Sequence, residues 1–243
     1  MRRFGLIGKH ISYSFSPGYF GEKFRKLGLK DCIYEIYDLP EISAFPNLLE
    51  RHPDLAGLNV TIPYKEAVIP YLDRLEKEAR EIGAVNTLRF TQNGVEGHNT
   101  DVTGFRESLR PLLTPADKAA LILGTGGASK AVAFGLGQLD IPFRFVSRNP
   151  EGGQLSYEEL NPELLEAYQI LINCTPLGTY PAVEKAPPLP YEAFGPTHLL
   201  YDLIYNPPET TFLKEGKQRG ARIKNGLEML RLQAEASWEI WNS

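Results

Sequence analysis

LILGTGGASKA, residues 121–131, decides the fold. An apolar run ends in glycines and passes directly into a helix-forming stretch. A tight turn at Gly124 needs a residue without a Cβ. Gly126 and Gly127 then let backbone N–H groups approach an anion at the positive end of the helix. Ser129 stands where the G-x-G-x-x-G pattern has its third glycine, so the weight rests on context: a strand before the loop and a helix after it. A tight turn that binds nothing is the alternative. About 20 residues further on, FRFV ends in Ser147 and Arg148 rather than the acid that usually bonds a ribose 2′-hydroxyl. An Arg there can pair a 2′-phosphate bidentately, which favours NADP over NAD. A solvated Arg at a strand end is the plainer reading.

Outward from this loop the chain alternates short apolar runs with amphipathic stretches, which predicts an α/β fold. On the C-terminal side come strand AALILG, helix ASKAVAFGLGQLD, and strands FRFVS, QILINC and HLLYDLI. Helix ETTFLKEGKQRG, strand ARIKN and a long helix, GLEMLRLQAEASWEIW, follow. This is a doubly wound, Rossmann-like βαβ series. On the N-terminal side, RRFGLIG reads as a strand. PGYFGEKFRKLG reads as a helix with Phe20, Phe24 and Leu27 on one face and Gly28 as its stop. CIYEIYDL and LAGLNVTI are strands, EKEAREIGA is a helix, and AVNTLRF and VEGHNT flank the turn Gln92-Asn93-Gly94. A helix, TGFRESLRPLL, follows Asp101. The expected organisation is two domains. Residues 1–102 form one, joined by a C-terminal helix at 227–243 that packs back on it, and residues 103–226 form the dinucleotide-binding domain.

Of the 243 residues, 42% are hydrophobic and 23% charged, which is ordinary globular usage. A formal net charge of −4 argues against nucleic acid or an anionic membrane as partner. Two cysteines far apart, Cys32 and Cys174, read as free thiols in a reducing compartment. The opening MRRFGLIGKH lacks the apolar core of a leader, and no apolar run reaches membrane-spanning length. These features predict a soluble, cytoplasmic protein; they do not decide between monomer and homodimer, and by excluding nucleic acid and membrane they leave a small molecule as the expected partner. No metal is expected, because His10, His52, His98 and His198 stand singly without ligand neighbours.

GLNVTIPYKEAV, residues 57–68, sets Leu58, Val60 and Ile62 on one face of a strand and Asn59 and Thr61 on the other. It breaks at Pro63 and delivers Lys65. A solvated surface amine is the commoner fate of a lysine. HISYSFSP places Ser12, Ser14 and Ser16 at period two. Ser16-Pro17 also reads as an N-cap followed by Pro at the first helical position, and a helix start flanked by hydroxyls suits a carboxylate. Asp101 stands at a helix entry, where capping is the alternative to chemistry. Asn86 interrupts the apolar run AVNTL and has to bond backbone or ligand. On the last helix, Gln233 interrupts a stripe with Leu230 and Trp241.

Together these motifs resemble the shikimate dehydrogenase family. The resemblance is carried by GLIGKHISYSFSP, NVTIPYKEAV, IGAVNTL, GHNTDVTGF, LILGTGGASKA, VSRN, INCTPLGTYP, LYDLIYNPPETTFL and GLEMLRLQA, in the family's order over residues 4–233. It implies a two-domain α/β enzyme that reduces 3-dehydroshikimate to shikimate with NADPH. By matched position it implies Lys65 and Asp101 as the catalytic pair and Ser14 and Ser16 on the substrate carboxylate. Asn59, Thr61, Asn86, Tyr205 and Gln233 would be around the ring hydroxyls and carboxylate. Gly124, Thr125, Gly126, Gly127, Ala128, Ser147, Arg148, Thr175, Leu203 and Gly226 would face the dinucleotide. In that reading Lys65 supplies the proton that a ketone reduction needs.

Three positions depart from the family pattern. Tyr13 replaces a usual His, Val102 replaces a Gly after Asp101, and Ser147-Arg148-Asn149-Pro150-Glu151 lacks the second basic residue of the phosphate clamp. The last keeps a quinate/shikimate dehydrogenase using NAD as the alternative. A non-catalytic sensor of shikimate-type acids is a third reading, disfavoured because Lys65 and Asp101 are both present.

Overall fold

The computed structural model describes residues 1–12 and 14–243, so the Tyr13 position lies outside the described residues. The chain divides into two compact units, residues 1–100 with 234–243 and residues 101–233. These boundaries leave the start of the last helix with the second unit and its end with the first.

The first unit runs β1 (Arg2–Gly8), α1 (Ser16–Lys26), β2 (Cys32–Asp38), α2 (Phe45–Arg51), β3 (Leu55–Val60) and α3 (Tyr64–Ala67). It continues through β4 (Arg74–Leu75), α4 (Lys77–Ile82), β5 (Thr87–Thr91) and β6 (Gly94–His98). Its sheet has the order β2-β1-β3-β5-β6-β4. β1 is parallel to β2 and β3, while β5 runs antiparallel to β3 and β6. Side chains alternate across the pleat. Leu58 and Val60 enter a core with Ile7, Val85 and Leu88, and Phe4 on the other face joins Phe20, Phe24 and Trp241. Gly57 is required by this second layer, because a Cβ there would collide with the Trp241 indole. The indole Nε1 donates to Leu88 O at 2.9 Å.

The second unit runs α5 (Asp101–Leu109), β7 (Ala120–Leu123), α6 (Gly127–Gln138), β8 (Phe143–Ser147), β9 (Leu155–Ser156) and α7 (Pro162–Ala167). β10 (Ile170–Asn173), β11 (Leu199–Asp202), α8 (Thr211–Gln218) and β12 (Arg222–Lys224) follow, and α9 (Leu227–Trp241) closes the chain. The parallel sheet has the order β12-β11-β10-β7-β8-β9. The chain starts at β7 in the middle, moves outward to β9, then returns to build β10, β11 and β12 on the other side. This is the doubly wound arrangement, with its switch point between β7 and β10. β7, β10 and β11 are buried at every position, which explains their unbroken apolar reading.

Several local expectations are corrected. α2, α3, β4, β9 and α7 are additions to the expected elements; α7 begins at an Asn161 cap, whose side chain accepts from Leu164 N, followed by Pro162. Leu27 lies past the end of α1 and is exposed, as is Ile62 at the break after β3. α1 starts at Ser16 itself, with Phe15 in the capping position, so Ser16 is not the N-cap. On α9 the buried positions include Ala234, Ser237 and Trp241, so Ser237 is the polar residue that interrupts the buried stripe; Gln233 and Leu230 are only half-buried.

Candidate active site

At the carboxyl ends of β7, β8 and β10 the second unit opens a cleft of about 600 Å³. Its walls are Gly124, Thr125 and Gly126 from the turn after β7, Ser147, Arg148, Asn149 and Glu151 after β8, and Cys174, Thr175, Pro176 and Leu177 after β10, with Tyr157 among the other contributors. This is the place where open α/β sheets bind ligands. Gly124 has φ of +100°, a conformation that side chains disfavour, and a Cβ there would press on the Thr175 methyl at 3.2 Å. Gly126 has open space where a Cβ would stand.

Gly127 and Ala128 form the first turn of α6, whose N–H groups have no acceptor within the helix. Ser129, in place of the third glycine, is buried and donates its hydroxyl to Gly126 O at 2.6 Å, so the turn is kept by a bond rather than by a missing side chain.

The Ser147 hydroxyl donates to Asn149 O at 3.1 Å and accepts from Asn149 N at 3.2 Å, which fixes the bend carrying exposed Arg148. Burial pushes the Tyr157 phenol up, with the Arg148 charge partly offsetting it. Thr175 donates its N–H and its hydroxyl to Asn173 Oδ1 at 3.0 and 2.7 Å. Leu203 and Gly226 do not line this cleft but pack on each other: a Cβ at Gly226 would collide with the Leu203 carbonyl, and Gly226 N donates to Ile204 O at 3.1 Å. Tyr205 lies just beyond β11 and Gln233 packs beside Gly104, both half-buried. Asp101 is the first residue of α5 and is buried.

The first unit holds a buried network of hydroxyls and amides. Ser14 Oγ accepts from Ser16 N at 3.4 Å, and the Ser16 side chain bonds the Tyr34 hydroxyl. Tyr34 donates to Asn59 Oδ1 at 2.8 Å; burial, opposed by the Ser16 bond, holds its phenol neutral. Asn59 Nδ2 faces Ser237 Oγ at 3.0 Å, and Asn86 O and Thr87 Oγ1 at 3.3 Å each. Both amide hydrogens of Asn59 are therefore engaged by the protein itself. Ser237 Oγ lies 2.8 Å from Thr87 Oγ1 and 3.1 Å from Thr100 Oγ1. Asn86 accepts from Thr100 N at 2.7 Å through Oδ1 and donates to Thr100 Oγ1 at 3.0 Å. Tyr34, Thr87, Thr100 and Ser237 are members that sequence reasoning does not single out.

Lys65 is carried by α3. That one-turn helix is held by Tyr64, which is buried and donates its hydroxyl to Leu39 O at 2.8 Å. Thr61 O accepts from Tyr64 N at 2.9 Å, and Lys65 O accepts from Val85 N at 2.7 Å. The Lys65 backbone is thus anchored at Val85. The next residue, Asn86, holds Thr100, the residue immediately before Asp101.

Among the described residues no three His, Cys, Asp or Glu side chains converge as a metal site, and no helix is long and apolar enough to cross a membrane.

Comparison with known proteins agrees with these features. Residues 6–88 match the family model of the shikimate dehydrogenase substrate binding domain. The shikimate dehydrogenase (NADP(+)) of Caldicellulosiruptor saccharolyticus is 34% identical over 99% of this chain and 92% of its own length. The solved shikimate dehydrogenase of Aquifex aeolicus superposes with a TM-score of 0.88 at 31% identity, covering 100% of this chain and 92% of that one. Shikimate 5-dehydrogenase of Thermus thermophilus, in complex with NADP(H) and shikimate, gives a TM-score of 0.87 at 34% identity, covering 99% and 93%. The chain belongs to the shikimate dehydrogenase family.

Proposed function

We propose that this protein catalyses the reversible NADP-dependent reduction of 3-dehydroshikimate to shikimate. The observation that carries the reading is the double anchorage at Val85 and Asn86. It fixes the Lys65 backbone and the residue preceding Asp101 on consecutive positions of one strand entry. The residues of the cleft fit a dinucleotide: a positive-φ glycine turn, open space at Gly126, a following helix start and a basic side chain at the β8 end.

In this reading the turn 124–128 holds the pyrophosphate and Arg148, beside Ser147, holds the 2′-phosphate. Thr175 shapes the remaining wall, and Leu203 and Gly226, packed on each other, act outside the cleft lining. Bound NADPH supplies the hydride. Reduction of the ketone places negative charge on its oxygen, and the Lys65 ammonium gives that oxygen a proton; in the reverse direction the amine takes it back. Asp101 orients the lysine and bonds a ring hydroxyl. Ser14 and Ser16 take the carboxylate, while Thr61, Asn86, Tyr205 and Gln233 bond the ring substituents or carboxylate. Asn59, with its amide engaged by neighbours, contributes by holding Asn86, Thr87 and Tyr34 in place.

The second reading, use of NAD, is supported by Glu151, which lines the same cleft as Arg148. The deciding assay follows nicotinamide absorbance with purified protein, shikimate or quinate, and NADP⁺ or NAD⁺. Shikimate with NADP⁺ is expected to exceed shikimate with NAD⁺ in kcat/KM by about tenfold, the order of one charge-assisted contact. No reduction of either nucleotide by shikimate refutes the proposal.

A further inference from the structure

We propose that Asp202 is a positioning residue for the dinucleotide cleft, its carboxylate fixing the orientation of the Asn173 amide and through it the Thr175 segment. This rests on the cofactor reading above. Asp202 ends β11 and pairs in register with Asn173 at the end of β10. It is fully buried. Its Oδ1 accepts from Asn173 Nδ2 at 3.1 Å and from Ile204 N at 3.0 Å, and its Oδ2 accepts from Thr210 Oγ1 at 2.6 Å. Among the described residues these hydrogen-bond partners are an amide, a backbone N–H and a hydroxyl, none of them charged. A buried carboxylate bonded only to neutral groups costs stability, so packing alone does not account for an acid here.

The acid does one thing an amide cannot. An ionised carboxylate only accepts, so Asn173 has to turn its NH₂ towards Asp202. That leaves the Asn173 carbonyl oxygen facing the loop, where it accepts both the N–H and the hydroxyl of Thr175. Thr175 Oγ1, so oriented, accepts from Leu177 N at 3.3 Å. One charge thereby sets the polarity of a chain of bonds that ends in the cleft wall. A reversed Asn173 would bring its NH₂ against two donors of Thr175.

Among the described residues, Cys174 and Tyr191 feel the Asp202 charge. Burial is the main cause that pushes both up, with the Asp202 charge a lesser one, so both stay neutral. Burial pushes the Asp202 carboxyl up to about 6, against the pull of its three hydrogen bonds. Protonation reverses the bond with Thr210 and leaves Oδ1 a neutral carbonyl, a hold on Asn173 about half as strong. The Thr175 segment is then held less firmly.

The test measures Kd for NADP⁺ by calorimetry on the full chain, comparing wild type with Asp202→Asn and Asn173→Ala at pH 8 and pH 5, each variant checked by circular dichroism. Asp202→Asn is expected to raise Kd about tenfold at pH 8. The ratio of variant to wild type should fall towards one at pH 5, where wild type has itself lost the charge. Taking the ratio cancels titration of the cofactor's own 2′-phosphate. Asp202→Asn combined with Asn173→Ala should be no worse than Asn173→Ala alone, because both act along one path. A ratio near one at pH 8, a ratio that does not change with pH, or additive losses overturns the proposal. Wild type that fails to bind NADP⁺ sinks the cofactor reading itself, whereas binding with a ratio of one sinks only the role of Asp202.

Discussion

Replacing Ser237 by Ala removes one oxygen from the centre of the first unit and tests whether its polar network governs the site. The hydroxyl is fully buried and meets Asn59 Nδ2 at 3.0 Å, Thr87 Oγ1 at 2.8 Å and Thr100 Oγ1 at 3.1 Å. A buried polar group left without a partner costs about 1–3 kcal/mol. Each of these partners has a fallback: Asn59 keeps Asn86 O and Thr87 Oγ1 at 3.3 Å, Thr87 donates to Asn86 Oδ1 at 3.1 Å, and Thr100 keeps Asn86. The cost therefore sits near the low end, about 1–2 kcal/mol, less about 0.5 kcal/mol that Ala regains over Ser within a helix. The net expectation is a loss of about 1 kcal/mol. Both tryptophans, Trp238 and Trp241, belong to the first unit, so urea unfolding followed by indole fluorescence reports on that unit. The same variant should lower kcat several-fold, on the order of one misplaced contact, because Thr100 precedes Asp101. KM for NADP⁺ should stay unchanged. A midpoint shift worth less than about 0.3 kcal/mol together with wild-type kcat refutes the reasoning. Lost stability with full kcat refutes only the link to Asp101.

Four further expectations follow from the site. Lys65→Met should keep NADP⁺ binding by calorimetry and lose turnover by about 100-fold or more, and near-normal turnover would remove the amine from the chemistry. Asp101→Asn should lower kcat by about tenfold or more while thermal unfolding is nearly unmoved, since Asn serves a helix start about as well as Asp. If kcat survives, the aspartate is only a helix-start residue. Glu151→Lys should raise the preference for NADPH over NADH about tenfold by supplying a second phosphate partner, and unchanged relative kcat/KM would show that this side chain faces no phosphate. For Asp202, a folded carboxyl at about 6 against an ordinary 3.8 means that the native state holds the proton longer, so its contribution to stability is present below pH 3.8 and lost as pH rises through 6. Asp202→Asn, which cannot titrate, should therefore gain on wild type by about 3 kcal/mol between about pH 4 and pH 7 in denaturant titrations, and a pH-independent difference would contradict this.

The sheet of the second unit was legible because its central strands β7, β10 and β11 are buried on both faces, so apolar runs such as ILIN and LLYD need no partner to be recognised. The glycine turn was legible for the same local reason. β9 was not, because two residues carry no period, although Asn161-Pro162 was a readable start for α7. The polar network was half legible. Asn59 and Asn86 stood out as amides in apolar runs, but what they bond is decided by strand order and by α9 returning from far along the chain. Tyr34 sits in CIYEIYDL as one more strand aromatic. Nothing local says that its hydroxyl meets Asn59, since that depends on β1 lying between β2 and β3. Ser237 looked like a neutral position beside the more conspicuous Gln233, and only the docking of Trp241 against Gly57 turns it inward. Asp202 closes an apolar strand, and that contrast is a local signal of its role.

The two units fix their loops with different chemistry, and the difference is consequential. In the first, Asn59, Asn86, Thr87, Thr100 and Ser237 are all neutral, and each hydroxyl can rotate to donate or accept. Such a network satisfies itself at any pH at which the protein is folded, so under the proposed mechanism Lys65 could change protonation state without disturbing these bonds. It also tolerates the loss of one member, which is why the expected cost of Ser237→Ala is modest. In the second, Asn173 has to present one particular end to Thr175, and rotatable hydroxyls cannot impose that choice. A group that only accepts can, and a carboxylate is the smallest side chain of that kind. On the proposed cofactor reading, the stability sacrificed by burying Asp202 without a cation is the cost of a single loop polarity at the cleft wall. A neutral replacement would fold at least as well and hold the wall less firmly.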